Sequence, residues 1–217
     1  RSFVLGLEER RRREKENRKA AILKAARRLF FEKGFKPVTV ESIAKKAELS
    51  KGSVYLYYNS KEEIYAQILL NDIGKFNRKI ENLFNNGDTA SSILHKLSTI
   101  YIDFFLHDTE LFRILVTYML HTDDMNLSDD VNRHIVKMTN VAIDVIERIF
   151  QYGIERGEFS PTVNLRQNRN AIWGLLNGII ALHLFTGDVA TREARIRSTV
   201  SATLETYVRG LKSAKSP

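Results

Sequence analysis

Proline is the feature that most restricts how this chain can fold: only Pro37, Pro161 and Pro217 interrupt its 217 residues. Between them apolar residues recur at three-and-four spacing with little strict alternation, which is the period of helices burying one face. The chain is therefore expected to be all-α, with no need for strands. At 43% hydrophobic composition it has enough apolar surface for a real core. It contains no cysteine, so disulfides and thiolate metal sites are excluded and packing must supply the stability. A reducing, cytoplasmic setting is the simplest fit.

Charge divides the chain unevenly. Residues 1–60 hold 16 Lys and Arg against 7 Asp and Glu, leaving 18 basic against 19 acidic groups for residues 61–217. The whole net charge of +8 is thus N-terminal. A basic segment on a nearly neutral body is expected when one end meets a polyanion and the other does something else. Arg1 to Leu7 is too short for the apolar core of a signal peptide and runs into Glu8 and Glu9. The longest uncharged stretch, Asn170 to Gly187, includes Asn177, His183 and three glycines, and reads as a helix buried in protein instead of a membrane span.

The N-terminal part carries the clearest local signals. A helix over about 17–33 has the apolar stripe Ile22, Ala25, Ala26, Leu29 and Phe30, with Gly34 placed for a left-handed cap and Pro37 forbidding continuation. Thr39 can cap a short helix that turns Val40, Ile43, Ala44 and Ala47 inward, and Ser50 can cap a second over Lys51 to Tyr58. Only Ala47 to Leu49 separate the two, the tight spacing of a helix-turn-helix. Ser60 then caps a long helix running toward Asn85, with Glu62 and Glu63 complementing its dipole. Residues 85–88 form a loop, and further helices are expected over about 89–106, 109–121, 128–156, 164–186 and 191–212. The expected organisation is a basic extension over 1–16, a helix-turn-helix domain over 17–62, and a larger helical domain over 63–217.

A helix laid in the major groove needs small residues where backbone nears DNA, donors for phosphates and an apolar back. Residues 50–61 supply these. Ser50 caps the helix start, Gly52 and Ser53 leave room for close approach, and Val54 and Tyr58 face back at four-residue spacing. Lys51, Tyr55 and Tyr57 offer a cation and two hydroxyls, Leu56 can touch a thymine methyl, and Lys61 begins the next helix near the backbone.

The run from Thr39 through Ala47-Glu48-Leu49-Ser50-Lys51-Gly52-Ser53-Val54-Tyr55-Leu56-Tyr57-Tyr58 to Ile64 resembles the signature of the TetR family of bacterial repressors. The likeness is strong over about residues 17–70. It departs at Glu48, where the family usually has Gly in the turn, and at Tyr58, where it usually has Phe. The resemblance implies a three-helix DNA-binding domain contacting operator DNA through Thr39, Lys51, Ser53, Tyr55, Tyr57 and Lys61. It also implies a variable C-terminal helical domain that binds a small-molecule effector, and a homodimer packed through the helices of about 164–186 and 191–212. Gly174, Gly178 and Ala181, with Trp173, Ile180 and Leu184 around them, suit such a close helix approach, although the same face can be buried within one subunit.

Phe104, Phe105, Phe112, Tyr118, Met119, His121, Met138, Tyr152, Trp173, Asn177 and His183 fit a largely apolar effector pocket with a few orienting groups. Each alone is more readily a core residue. The five histidines show no metal-ligand spacing, and neither cofactor nor metal is expected. No G-x-S-x-G, phosphate-cradling Gly loop or Cys nucleophile supports an enzyme. A helical protein bound to anionic membrane surfaces is the other alternative, but it would need no capped short-helix pair. The Arg10–Arg13 run, interleaved with Glu8, Glu9, Glu14 and Glu16, fits a minor-groove arm and a solvated helix extension equally well.

Overall fold

The computed structural model describes residues 2–84, 87–121 and 125–212. Nine helices and no strands are found among them: α1 Ser2–Lys33, α2 Val40–Lys46, α3 Lys51–Tyr55, α4 Lys61–Ile80, α5 Ala90–Leu106, α6 Thr109–His121, α7 Asp129–Glu155, α8 Leu165–Phe185 and α9 Arg192–Leu211. The expected helices are all present. Three ends differ: α1 starts fifteen residues before Asn17, α3 closes at Tyr55 instead of Tyr58, and α4 stops at Ile80, short of Asn85. The loop tip at residues 85 and 86 lies outside the described residues.

The chain forms two compact units, Arg1–Asp72 with Glu110–Ile135, and Ile73–Thr109 with Val136–Pro217. The expected boundary after residue 62 falls inside α4, whose first twelve residues belong to one unit and the rest to the other.

In the first unit, Ile22, Ala26, Leu29 and Phe30 of α1 are buried together with Ile43 and Ala44 of α2, Val54 of α3, and Ile64 and Leu69 of α4. Phe30, Phe35 and Tyr65 meet edge-on or offset with centroids 5.0 to 5.7 Å apart, and the Tyr65 hydroxyl donates to the Ile114 carbonyl at 2.5 Å. Burial pushes that hydroxyl well above the ordinary tyrosine value. Asp72, 2% exposed, is held by the Arg27 guanidinium at 3.0 Å. Gly34 adopts φ 78°, the left-handed cap that ends α1.

In the second unit α5 packs on α8 and α9. Tyr101 and Phe105 from α5, Ile172, Leu176 and Ile180 from α8, and Ile196, Val200 and Leu204 from α9 are all buried. The Glu158 carboxylate caps the start of α5, accepting from the Ala90 N–H at 2.6 Å and the Ser91 N–H at 3.0 Å, where free amides and the helix dipole favour an anion. Gly153 has no room for a side chain, since a Cβ there would sit 2.2 Å from the Phe159 ring. No helix among the described residues is long and apolar enough to cross a membrane.

Candidate nucleic-acid interface

Hydrogen bonds between near neighbours in sequence build the α2–α3 pair. Thr39 and Ser42 form a reciprocal capping box at the start of α2. At its end the Glu48 N–H donates to the Lys45 carbonyl at 3.2 Å and the Leu49 N–H to the Ala44 carbonyl at 2.9 Å, which is a Schellman cap. That cap requires a left-handed residue, and Glu48 supplies it at φ 57°. The departure from glycine noted in the sequence therefore leaves the turn intact and leaves Glu48 in a conformation costing about 1–2 kcal/mol for a residue with a Cβ. Ser50 caps α3, accepting from the Ser53 N–H at 3.1 Å.

Helix α3 has two unlike faces. Val54 is fully buried and Tyr58 is 5% exposed, so both turn inward as their spacing predicts. Burial of the Tyr58 hydroxyl, with the Glu63 and Glu16 carboxylates adding to it, pushes its pKa up to about 12. Outward, Lys51, Gly52, Tyr55 and Leu56 are exposed, with Leu56 at 77%, while Ser53 and Tyr57 are half-buried. Ser53 Oγ also lies 2.8 Å from Ser50 Oγ. A methyl added at Gly52 would meet nothing nearer than Ser50 Oγ at 3.9 Å. No internal packing therefore explains this glycine, which costs a helix about 0.5–1 kcal/mol relative to alanine.

Thr39 is exposed, with its hydroxyl committed to the cap. Lys61 has a role that sequence reasoning missed. Its ammonium donates to the Phe35 and Lys36 carbonyls at 3.1 and 3.0 Å and sits 4.5 Å from the centre of the Phe35 ring, tying α4 to the α1–α2 loop. One ammonium proton remains for any other acceptor.

The residues expected to line a pocket are spread over the chain. Phe112 and Tyr118 are buried in the first unit, while Met119 and His121 of the same helix are exposed. In the second unit Phe104, Phe105 and Trp173 join Phe76 and Tyr101 in an aromatic cluster with centroids 4.8 to 5.5 Å apart. There the Tyr101 hydroxyl donates to Asn177 Oδ1 at 2.9 Å, and burial raises its pKa far above the ordinary value. His183 Nε2 lies 3.4 Å from the Thr199 hydroxyl. Tyr152 stacks edge-on with Phe84 and donates to the Asp88 carbonyl at 3.1 Å.

Of the expected residues, Met138 alone lines the cavity of about 630 Å³ between the end of α4 and α7. Ile80, Val141 and Val145 extend its apolar wall, and Arg78, Arg148, Glu81 and Asp144 are its charged lining residues. Asn77 donates to the Met138 carbonyl at 3.0 Å, and its buried Oδ1 has no hydrogen-bond partner among the described residues. The small residue Gly74 and the polar Asn77, at one-turn spacing in an otherwise apolar helix stripe, were the available signal for this site.

An all-helical chain with a capped short-helix pair, an exposed outer face on the second helix and a separate helical unit bearing a cavity is a helix-turn-helix regulator. Residues 22–68 match the model of bacterial regulatory proteins of the tetR family, and residues 70–189 match that of the YsiA-like protein C-terminal region. The chain belongs to the tetR family of bacterial regulatory proteins and is a transcriptional regulator. It is similar to the uncharacterized HTH-type transcriptional regulator YfiR of Bacillus subtilis (strain 168), at 28% identity over 79% of this chain and 82% of the relative. It is also similar to the fatty acid metabolism regulator protein of the same organism, at 24% identity over 72% and 78%. The fold is shared with the crystal structure of FadR from Bacillus subtilis in complex with stearoyl-CoA, at TM-score 0.72 and 22% identity over 88% of this chain and 98% of that one.

Proposed function

We propose that the protein is a repressor that holds operator DNA as a homodimer through Thr39, Ser50–Ser53, Tyr55–Tyr57 and Lys61, and lets go when an acyl thioester or similar apolar, anion-headed molecule enters the second unit. The observation that carries the DNA reading is the outer face of α3: an unexplained glycine between exposed Lys51 and exposed Tyr55 and Leu56. Backbone approach to a phosphate or base edge is what a residue without Cβ permits there.

The effector class draws support from the relative named for fatty acid metabolism and from the neighbour solved with stearoyl-CoA. The cavity is within the usual size of ligand sites and pairs an apolar wall with two guanidinium groups, alongside the Glu81 and Asp144 carboxylates. The dimer reading draws support from α8 and α9, where Gly174, Gly178 and Leu182 are exposed and nothing lies within 4 Å of a Cβ built on either glycine. Two-fold symmetry then sets the reading helices about one turn of duplex apart, roughly 34 Å. Helix α4 belongs to both units, so a ligand that prefers a different set of α4 can change that spacing. A coupling of about 1–3 kcal/mol relieves repression several-fold or more. The protein acts in the cytoplasm, where operator and effector meet.

Fluorescence anisotropy on a promoter fragment recovered by genomic footprinting tests this. Salt-sensitive binding released by long-chain acyl-CoA, and not by CoA alone, is the expected result. Absence of salt-sensitive binding to any recovered fragment overturns the DNA reading, and indifference to acyl-CoA overturns the effector class.

A further inference from the structure

We propose that the N-terminal half of α1 is a second DNA-gripping element, a helical bar whose basic side contacts duplex phosphates flanking the stretch read by α3. The inference rests on the DNA-binding reading above. Helix α1 runs unbroken from Ser2 to Lys33, yet among its described side chains the first buried one is Ile22. Residues 8–17 are exposed on every side. Eleven residues separate Arg11 from Ile22, which at 1.5 Å per residue is about 16 Å of helix beyond the core. That reach covers roughly five phosphates along one strand.

One side of this bar is mainly basic. Arg11, Lys15, Arg18 and Lys19 follow one another at four, three and one residues, and the same row continues into Ile22, Ala26 and Leu29. Basic groups therefore extend the side of α1 that farther along is buried against the rest of its unit; Glu8 opens the same row one turn earlier, Glu9, Glu14 and Glu16 lie off it, and Arg10 and Arg13 fall on other sides of the helix. Arg18 pairs with Glu14 at 2.7 Å and Lys19 with Glu16 at 3.8 Å, whereas Arg11, Arg12 and Lys15 form no ion pair among the described residues.

Duplex DNA fits this surface better than a membrane does. Residues 8–19, the stretch assigned to the grip, contain no apolar side chain, so a lipid surface would gain no inserted area from them; the apolar Phe3, Val4, Leu5 and Leu7 stand ahead of that stretch in the sequence. A polyanion gains from each lysine or arginine that displaces condensed counterions.

The test uses the full chain carrying Arg11→Gln, Arg12→Gln and Lys15→Gln together, with circular dichroism and melting compared first to show that the fold is kept. Binding to the footprinted promoter fragment with long flanks, and to the same fragment trimmed to its protected core, is measured from roughly 50 to 200 mM salt. On the long fragment the variant is expected to bind more weakly, with a log–log salt slope shallower by about 2 to 3, near 0.9 per lost phosphate contact. On the trimmed fragment wild type and variant should coincide. Equal slopes on the long fragment overturn the proposal, as does an equal loss on both lengths, which would make the charges a general field. Charge-dependent binding to phosphatidylserine vesicles with unchanged DNA slopes also overturns it, in favour of a membrane. Wild-type binding with an indifferent variant removes this inference alone, whereas no binding by wild type removes the DNA reading with it.

Discussion

The α2–α3 pair and the helices of the second unit are both built from amphipathic segments, yet they manage their polar groups in opposite ways. In the pair, polar side chains bond to backbone three residues away, as Thr39 does with Ser42 and Ser50 with Ser53, and the outer face is left free. In the second unit polar groups bond across long separations: Tyr101 to Asn177, Tyr207 to Asn168, Tyr152 to Asp88. A site made of near neighbours keeps its shape whatever surrounds it. One made of distant residues is a consequence of the whole packing, and the aromatic residues that mark it in sequence are as easily spent on core.

The sharpest way to break this contrast is a pair of substitutions on the short helices. Ile43 has no exposed surface, and Ile43→Ala should cost about 2–5 kcal/mol through lost burial and the cavity left behind. Leu56→Ala, at a residue 77% exposed, should change stability by less than about 0.5 kcal/mol while altering base preference. Denaturant melts and binding to operator and scrambled DNA read the two effects. If Leu56→Ala were the more destabilising, α3 would be packed against protein and not presented to DNA.

In the second unit the contrast is between a closed aromatic cluster and an open cavity. Tyr101→Phe leaves Asn177 Oδ1 without its donor and should lower stability by about 1–3 kcal/mol with the effector response kept. Val141→Trp fills the cavity from a half-exposed position and should abolish the response with little change in melting. The reverse pattern would move the effector site into the cluster around Trp173.

Gly52→Ala separates fold from function more finely. The added methyl meets open space, so the protein should gain about 0.5–1 kcal/mol while operator affinity falls tenfold or more, a change of about 1.4 kcal/mol per tenfold. A variant both more stable and equally tight in binding would mean that no DNA atom approaches residue 52.

How far each region could be read from sequence follows the same division. Caps, turn and inward face of the helix-turn-helix were legible because Thr39, Ser50, Val54 and Tyr58 act within one or two turns of their own backbone. The helices of the second unit were legible from period and from Gly157 and Gly187, which take positive φ at their breaks. The cavity was not, because whether Phe104 or Met138 faces space or core depends on which helix arrives opposite, and no local rule states that. Lys61 was legible only in part for a related reason: its backbone position suits a phosphate contact, but the carbonyls its ammonium also meets lie 25 and 26 residues away. The length of α1 was left open between an arm and a solvated helix extension because residues 8–17 bury nothing, and periodicity detects only helices with a buried stripe.

The smallest expected effect concerns Glu48, where turn chemistry and residue type disagree. Its φ of 57° satisfies the Schellman bonds but costs about 1–2 kcal/mol for a side chain bearing Cβ. Glycine would remove that strain and add about 0.4–1 kcal/mol of unfolded-state freedom. Glu48→Gly should therefore stabilise the protein by a few tenths to about 1 kcal/mol, seen as a higher denaturant midpoint at unchanged slope. Because Glu48 precedes Ser50 and lies outside the exposed face of α3, base preference should stay as it was while removal of one negative charge modestly tightens binding to every duplex. A destabilised variant would mean that the Glu48 side chain holds the turn through contacts worth more than the strain, and the turn would then owe its shape to tertiary packing like the second unit, not to its own backbone.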